Sequence, residues 1–183
     1  MNIVLVGMMA SGKSTVGRLL AETLGRPFID TDGAIVANAG QTIPEIFAAE
    51  GEAGFRAREA AVIAAVAARD GCVVATGGGA VLDPANREAL RRTGLVFWLD
   101  VPTADLYARA KAQGLAERPL LAGADPLGTL TARADERAGA YAAAAHYRVD
   151  AGGLAPAAAV TAILAILHSK GDPEYAAGTS QPC

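Results

Sequence analysis

Eight residues near the start of the chain have the types and spacing of a phosphate-binding loop. Residues 7–14, Gly-Met-Met-Ala-Ser-Gly-Lys-Ser, fit the pattern G-x-x-x-x-G-K-[ST]. The glycines allow the backbone to curl until successive N–H groups point inward at an anion. In this pattern the lysine, Lys13, reaches the β- and γ-phosphates of a nucleotide, and the hydroxyl of Ser14 ligates Mg²⁺. The sequence therefore predicts a site for a nucleoside triphosphate.

The segments on both sides of this loop favour the same interpretation. Residues 2–6 form a short, β-branched apolar run, which is typical of a buried parallel strand. Residues 15–24 have apolar side chains at helical spacing, and the pattern stops at Gly25. A strand, a glycine loop and a helix are the context that the motif requires. A glycine-rich turn alone would leave the Lys-Ser pair unexplained.

Two carboxylates, Asp30 and Asp32, follow the second apolar run. Ligands of an open α/β sheet bind beyond the carboxyl ends of its strands, so we expect these side chains to face the phosphate loop. One carboxylate can help to hold Mg²⁺ through water, and the other can accept a hydrogen bond from a substrate hydroxyl and orient it. The alternative is a structural role as a helix N-cap and a first-turn acid.

Three consecutive glycines, Gly77, Gly78 and Gly79, follow the third apolar run. A substrate can lie against bare backbone at such a turn, and the turn can present amide groups to a hydroxyl or a carboxylate. The alternative is a loop that is merely flexible.

Three arginines stand out by their surroundings: Arg56, Arg118 and Arg137. Arg118 lies in a Gly- and Pro-rich segment, residues 111–125, which we interpret as a mobile lid between helices. Paired guanidinium groups can clamp a small carboxylate, and an arginine that closes over the γ-phosphate stabilises the transferring group. Glu59 follows Arg56 by three positions and could brace it on a helix face. Each arginine taken alone would more simply be a solvated surface charge.

Strand-like and helical segments alternate along the chain. The apolar strand-like runs are residues 2–6, 27–30, 72–75, 95–99 and 147–149. Helical patterns separate them, which predicts an α/β domain with a parallel sheet covered on both faces. The segment between the second and third runs is too long for one crossover helix, and glycine and proline punctuate it. We expect several short helices there, forming a cap over the carboxyl edge of the sheet.

Length and composition narrow the function classes. The 183 residues suit one domain, residues 1–168, followed by a tail at 169–183 that we expect to be disordered. With a net charge of −3, the protein has no overall positive field that would attract nucleic acid. No apolar run approaches the ~20 residues that span a bilayer. The first residues show no basic region or cleavage site, so we expect no leader. We therefore expect a cytoplasmic protein with no nucleic-acid or membrane partner.

Residues of reactive types outside these motifs are expected to be structural. Cys72 opens an apolar run and is predicted to be a small core residue, and no metal-type cysteine cluster is present. His146 and His168 have no partner at metal or catalytic spacing. Trp98, within the fourth strand-like run, is predicted to lie in the core.

Taken together, these motifs resemble the shikimate kinase family, in the nucleoside-monophosphate-kinase-like branch of P-loop proteins. The resemblance extends to about residue 167. It depends on residues 7–15, Asp30-Thr31-Asp32, Phe55-Arg56-x-x-Glu59, Gly77-Gly78-Gly79-Ala80-Val81, Arg118-Pro119-Leu120-Leu121 and Arg137-x-x-x-Tyr141. It implies a three-layer P-loop kinase with a five-stranded parallel sheet in the order 2-3-1-4-5 and a substrate-binding cap at residues 31–60. The implied reaction is transfer of the γ-phosphoryl group of ATP to the 3-hydroxyl of shikimate.

The resemblance also implies a role for individual residues. Those implied to be catalytic are Lys13, Asp32 and Arg118. The nucleotide site would comprise Gly7, Ala10, Ser11, Gly12, Lys13, Ser14, Thr15 and Arg118. The shikimate site would comprise Asp32, Arg56, Gly77, Gly78, Gly79, Arg118 and Arg137. The Mg²⁺ site would comprise Ser14 and Asp30. The family's basic residue near Gly152-Gly153 is absent here, which leaves Arg109 and Lys111 as the adenine contacts.

Some alternatives stay open at this point. A kinase for another small polyol acid, such as gluconate, would use the same fold, and a regulatory module would bind ATP without turnover. No long apolar stripe is left unexplained, so we expect a monomer. Ala10 stands where many relatives have a further loop glycine, and because alanine is small we expect it to be tolerated.

Overall fold

The structure, a computed structural model, describes residues 1–112 and 125–169. Most of the predicted lid, including Arg118, lies outside the described residues, as does the predicted tail from residue 170 onward.

Within the described ranges, five strands form one parallel sheet in the order β2-β3-β1-β4-β5. They are β1 Asn2–Val6, β2 Phe28–Asp30, β3 Val73–Ala75, β4 Gly94–Asp100 and β5 Tyr147–Asp150. The observed order confirms the predicted order 2-3-1-4-5. The central strand β1 is buried along its whole length, because parallel strands are covered on both faces and need apolar side chains on each.

Helices cover both faces of the sheet and complete the three layers. They are α1 Lys13–Leu24, α2 Thr31–Ala39, α3 Ile43–Ala67, α4 Pro84–Thr93, α5 Thr103–Ala112, α6 Pro126–Ala144 and α7 Pro156–Ser169, with a short 3₁₀ turn at Ala80–Leu82. Helix α1 packs against α7, whereas α4 packs against α3 and α6. None of the helices in the described ranges is both long enough and apolar enough to cross a bilayer.

The segment between β2 and β3 forms α2 and a kinked α3. Gly40 ends α2 in the left-handed region, with φ 65°. Thr42 then starts α3 with a capping box, in which its side chain and that of Glu45 each bond the other's backbone N–H. Gly51, with φ 68° and ψ −172°, then divides α3 into two helical stretches at a kink. The segment is therefore broken at Gly40 and Gly51 as predicted, whereas Gly54 keeps helical geometry and causes no break.

The structure shows where three of the residues that were expected to be structural lie: Cys72, His146 and Trp98. Cys72 is buried, as predicted. His146 Nδ1 accepts a hydrogen bond of 3.0 Å from the N–H of Val96, which confirms a structural role. Trp98 is partly buried and packs against the core, as predicted. Its ring stacks on that of Tyr141 at 5.7 Å and lines a cavity of about 260 Å³ beside α5 and α6.

Candidate active site

The phosphate-binding loop connects the end of β1 to the start of α1. Gly7 and Gly12 have φ angles of 144° and 93°, which favour glycine. A Cβ atom on Gly7 would also lie 2.7 Å from the carbonyl oxygen of Leu99. The loop therefore needs glycine at both positions. Its backbone leads into the N-terminus of α1, where the helix dipole favours an anion.

Lys13, the first residue of α1, lies against this loop. Its Nζ donates hydrogen bonds of 2.9 Å to the carbonyl of Gly7 and 2.8 Å to that of Met8. The side chain is only 8% exposed. The fold therefore holds one ammonium group beside the curled backbone, where the motif would place it.

Ala10 adopts an unusual backbone conformation. With φ 60°, it is the one non-glycine residue at positive φ in the described part of the chain. The left-handed region costs an L-residue roughly 1–2 kcal/mol. The small side chain fits here, but the backbone conformation is one that a glycine would adopt without strain.

Ser14 and Asp30 meet at the edge of the sheet. The Ser14 hydroxyl donates to Asp30 Oδ2 at 2.6 Å. The other carboxylate oxygen, Oδ1, accepts from the N–H groups of Asp32 at 3.1 Å and Gly33 at 3.4 Å and so caps α2. Asp30 thus has the N-cap role that was weighed as the structural alternative, and it also contacts the serine of the phosphate loop.

This oxygen pair fits a Mg²⁺ ion that retains most of its water. A hydroxyl and a carboxylate oxygen adjoin at the mouth of the loop, and Mg²⁺ is usually bound through one or two protein oxygens plus substrate phosphates. In the described ranges, no group of three or more His, Cys, Asp or Glu side chains could enclose a metal. The donor set therefore suits a metal shared with a nucleotide.

Asp32 and Glu59 converge on the glycine turn at residues 77–79. A Cβ atom on Gly77 would lie 2.5 Å from Asp32 Oδ1 and 3.1 Å from Glu59 Oε1. Burial raises the pKa of the Asp32 carboxyl to about 6; the nearby Asp30 adds to the increase, and Lys13 opposes it. Only glycine at position 77 leaves room for these two carboxylates.

Glu59 braces Arg56, as its spacing predicted. Arg56 Nη1 donates to Glu59 Oε2 at 2.7 Å, and Nη2 donates to Glu52 Oε1 at 3.1 Å. Glu59 is buried, and its Oε1 has no hydrogen-bond partner among the described residues. The Arg56 guanidinium lies beside the glycine turn, since a Cβ atom on Gly79 would be 2.5 Å from Nη1.

Arg137 reaches the same turn from α6. It is 8% exposed, and its Nη1 donates to the carbonyl oxygen of Gly78 at 3.3 Å. The turn is anchored from another side by Thr31, whose Oγ1 accepts from the N–H of Gly77 at 3.0 Å. The structure thus brings Asp32, Arg56 and Arg137 together around the three glycines, as the sequence predicted.

The glycine turn also rests on the phosphate loop. A Cβ atom on Gly78 would lie 3.3 Å from the nitrogen of Met9 and 3.6 Å from the carbonyl oxygen of Gly7. The group of residues expected to bind an acceptor is therefore in direct contact with the loop expected to bind the phosphates.

Arg109 lies on the other side of the phosphate loop. Its Nη1 donates to the carbonyl of Ser11 at 3.2 Å, and its Nη2 donates to that of Ala151 at 3.1 Å. It borders a cavity of about 150 Å³, whose lining includes Ala10, Gly12, Thr15, Leu154 and Pro156. Lys111 is exposed on the same helix and does not line that cavity. Of the two predicted adenine contacts, the structure brings only Arg109 to the loop.

Sequence reasoning missed two residues of the site. Thr31 was read only as part of Asp30-Thr31-Asp32, and Tyr141 only as part of a motif. The hydroxyl of Tyr141 donates to the Gly78 carbonyl at 2.6 Å. Its position four residues after Arg137, on the same face of a helix, was the available signal.

A family model, curated relatives and a solved structure with 41% identity identify the same family. The family model described as "Shikimate kinase" matches residues 9–168. A shikimate kinase from Symbiobacterium thermophilum is 64% identical over 149 residues, covering 81% of this chain and 86% of the relative. One from Halorhodospira halophila is 51% identical over 151 residues, covering 82% and 84%. The solved structure of a shikimate kinase from Acinetobacter baumannii, in complex with shikimate, has a TM-score of 0.88 and 41% identity, covering 92% of this chain and 93% of that one.

Proposed function

The chain belongs to the shikimate kinase family of enzymes, and we propose that its site transfers the γ-phosphoryl group of ATP to the 3-hydroxyl of shikimate. One observation supports this most directly: the turn at Gly78 lies against the phosphate loop at Gly7 and Met9. An acceptor held by that turn would be next to the end of the triphosphate. Residues 1–168 would act as one kinase domain, with residues 31–60 as the substrate-binding cap.

The nucleotide half of the site is the phosphate loop and its surroundings. Lys13 and the loop amides would bind the phosphates, helped by the positive end of α1. Arg109 would contact the adenine, because its guanidinium lies between the loop and the segment at Ala151. Arginine stacks well on aromatic faces, so a purine suits this position.

Ser14 and Asp30 are the residues that would hold Mg²⁺. When bound, the ion neutralises charge on the β- and γ-phosphate oxygens. The protein contributes a hydroxyl and a carboxylate that already lie 2.6 Å apart. Asp30 accepts hydrogen bonds from two N–H groups at the start of α2. These bonds fix the orientation of its carboxylate.

The acceptor half offers two positive groups and one carboxylate. Arg56 and Arg137 would bind the carboxylate of shikimate, and Asp32 would accept a hydrogen bond from the reacting hydroxyl. With a pKa of about 6, Asp32 is mainly ionised at pH 7 and can act as this acceptor. Phosphoryl transfer has a loose transition state, so orientation of the hydroxyl matters more than early removal of its proton.

Arg118 is proposed as the lid arginine that reaches the phosphates and the substrate. Arg118 lies outside the described ranges, so the support for this role is the sequence of the segment Arg118-Pro119-Leu120-Leu121. All the side chains proposed here come from one chain, so the site needs no second copy, and we propose that a monomer is the active form.

A coupled assay of ADP formation tests the proposed function. With Mg²⁺ and ATP, shikimate is expected to stimulate ADP formation strongly, and gluconate at the same concentration is not. Lys13→Ala is expected to remove most of the turnover and gives the background. The proposal is wrong if gluconate outcompetes shikimate. It is also wrong if calorimetry shows ATP binding while no acceptor yields ADP.

A further inference from the structure

Tyr141 lies where the acceptor turn, the phosphate loop and α6 meet. Its side chain is 1% exposed. The hydroxyl donates to the Gly78 carbonyl oxygen at 2.6 Å and touches Met8 Sδ at 3.4 Å. The role of Tyr141 goes beyond the residues proposed above to bind substrate.

The hydroxyl is held as a hydrogen-bond donor. Burial raises the pKa of Tyr141 to about 12, so the phenol keeps its proton throughout the neutral range. Its ring stacks on Trp98 with an interplanar angle of 24°, which fixes the direction of the O–H group. Packing and protonation therefore both favour donation to Gly78.

The Gly78 carbonyl has a second donor, Arg137. Arg137 Nη1 lies 3.3 Å from the same oxygen, a longer distance than the 2.6 Å of the tyrosine. A carbonyl oxygen has two lone pairs and can accept both bonds. Because Tyr141 makes the shorter one, the carbonyl stays fixed even when the Arg137 guanidinium turns toward an anion.

Fixing this carbonyl also fixes the next N–H group. The peptide bond is planar and trans, so the C=O of Gly78 and the N–H of Gly79 point in opposite directions. Since Tyr141 holds the C=O on its own side, the Gly79 N–H is directed to the other face of the turn. The Arg56 guanidinium lies beside Gly79, so this amide adds a donor next to Arg56.

We infer that Tyr141 is a positioning residue for the acceptor: by holding the Gly78 carbonyl it presents the Gly79 N–H to the acceptor carboxylate and keeps the turn seated on the phosphate loop. The inference rests on the proposed function, because it assumes that the carboxylate of shikimate binds at this turn. It assigns Tyr141 no contact with the substrate.

The test is Tyr141→Phe, which keeps the ring against Trp98 and removes only the hydroxyl. We expect the KM for shikimate to rise about 3- to 10-fold, the change that loss of one neutral hydrogen bond produces. The KM for ATP and kcat should stay within about twofold, because the phosphate loop keeps its own contacts. Tyr107→Phe is the matched control: it removes a hydroxyl from the half-buried Tyr107 on α5 and should leave both KM values unchanged.

Two results would overturn the inference while leaving the proposed function intact. One is an active Tyr141→Phe enzyme with wild-type KM for shikimate. The other is an equal rise in both KM values, which would indicate general loosening of the fold. Failure of the proposed function looks different, since the wild-type enzyme itself would show no shikimate-dependent ADP formation.

A measurement on the wild-type protein tests the inference even if Tyr141→Phe does not fold. In protein labelled with ¹⁵N-glycine, saturating shikimate is expected to shift the amide resonance of Gly79 strongly. Gly25, at the far end of α1, provides the reference and should not shift. An unmoved Gly79 resonance in protein that binds shikimate would refute the presentation of this amide.

Discussion

Ser14 and Asp30 are joined by a 2.6 Å hydrogen bond although they are 16 positions apart in the chain. The bond connects the first turn of α1 to the end of β2. It places the serine of the phosphate loop beside the carboxylate that caps α2.

Ser14→Ala should therefore weaken the binding of Mg²⁺ more than the binding of the acceptor. We expect the Mg²⁺ concentration for half-maximal activity to rise at least about 10-fold, since even loss of a second-shell partner costs ~10–100-fold in metal affinity. Titrating activity against Mg²⁺ at saturating ATP and shikimate measures it. Thr23→Ala on the same helix, where the hydroxyl bonds only the Leu19 carbonyl, should leave the titration unchanged.

Asp32→Asn should stabilise the free protein while it abolishes turnover. The folded-state pKa of Asp32 is about 6, above its ordinary value of 3.8. Its contribution to stability is therefore greatest below pH 4 and is lost as the pH rises through 6. At pH 7 the variant should gain about 1–3 kcal/mol in the free energy of unfolding.

Urea denaturation in EDTA between pH 4 and 8 measures this effect of Asp32. The advantage of the variant should shrink toward pH 4, where the wild-type carboxyl is protonated in the folded state and partly protonated in the unfolded state. Glu88→Gln, at an exposed position on α4, should stay within about 0.5 kcal/mol of wild type at every pH. A variant no more stable at pH 7 than at pH 4 would contradict the raised pKa.

Arg109→Ala should raise the KM for ATP and leave that for shikimate unchanged. The guanidinium lies between the carbonyls of Ser11 and Ala151, where we propose that it stacks on adenine, and such a cation–π contact contributes about 0.5–2 kcal/mol, equivalent to about 2- to 30-fold. Steady-state kinetics with each substrate varied in turn provides the measurement. Lys111→Ala is the control, and an equal effect of the two variants would return the adenine contact to an open question.

Ala10→Gly should stabilise the protein. The left-handed conformation at φ 60° destabilises the folded state by roughly 1–2 kcal/mol when the residue is alanine. Glycine removes this strain, but it also raises the entropy of the unfolded chain, which offsets part of the gain. We expect a net gain of about 0.5–1 kcal/mol by chemical denaturation. Ala65→Gly on the exposed face of α3 should do the opposite and lose about 1 kcal/mol. A loss at both positions would exclude strain at Ala10.

The parts of the fold that depend on local pattern were predictable from the sequence. The glycines and the Lys-Ser pair of residues 7–14 require one loop geometry, and the apolar runs mark each strand to within one residue at either end. The continuity of α3 through Gly54 was not predictable. A glycine can either break a helix or remain inside it, and the packing of Phe55 and Glu59 against the rest of the molecule decides between these outcomes.

The candidate site was predictable in its charged residues and less so in the contacts that orient them. Asp32, Arg56 and Arg137 have side chains whose chemistry suggests a role. Tyr141 bonds a backbone carbonyl 63 positions away, at Gly78. Glu59 lies close to Gly77, which is 18 positions away. A one-dimensional pattern gives no such distances.

The stacked pair of Trp98 and Tyr141 gives this protein a built-in optical signal. Trp98 is the one tryptophan in the sequence, so excitation at the red edge of the absorption band selects a single indole. That indole lies against the phenol whose hydroxyl holds the glycine turn. We therefore expect its emission to change when an acceptor binds at the glycine turn, which would follow binding with no attached dye and no coupling enzyme.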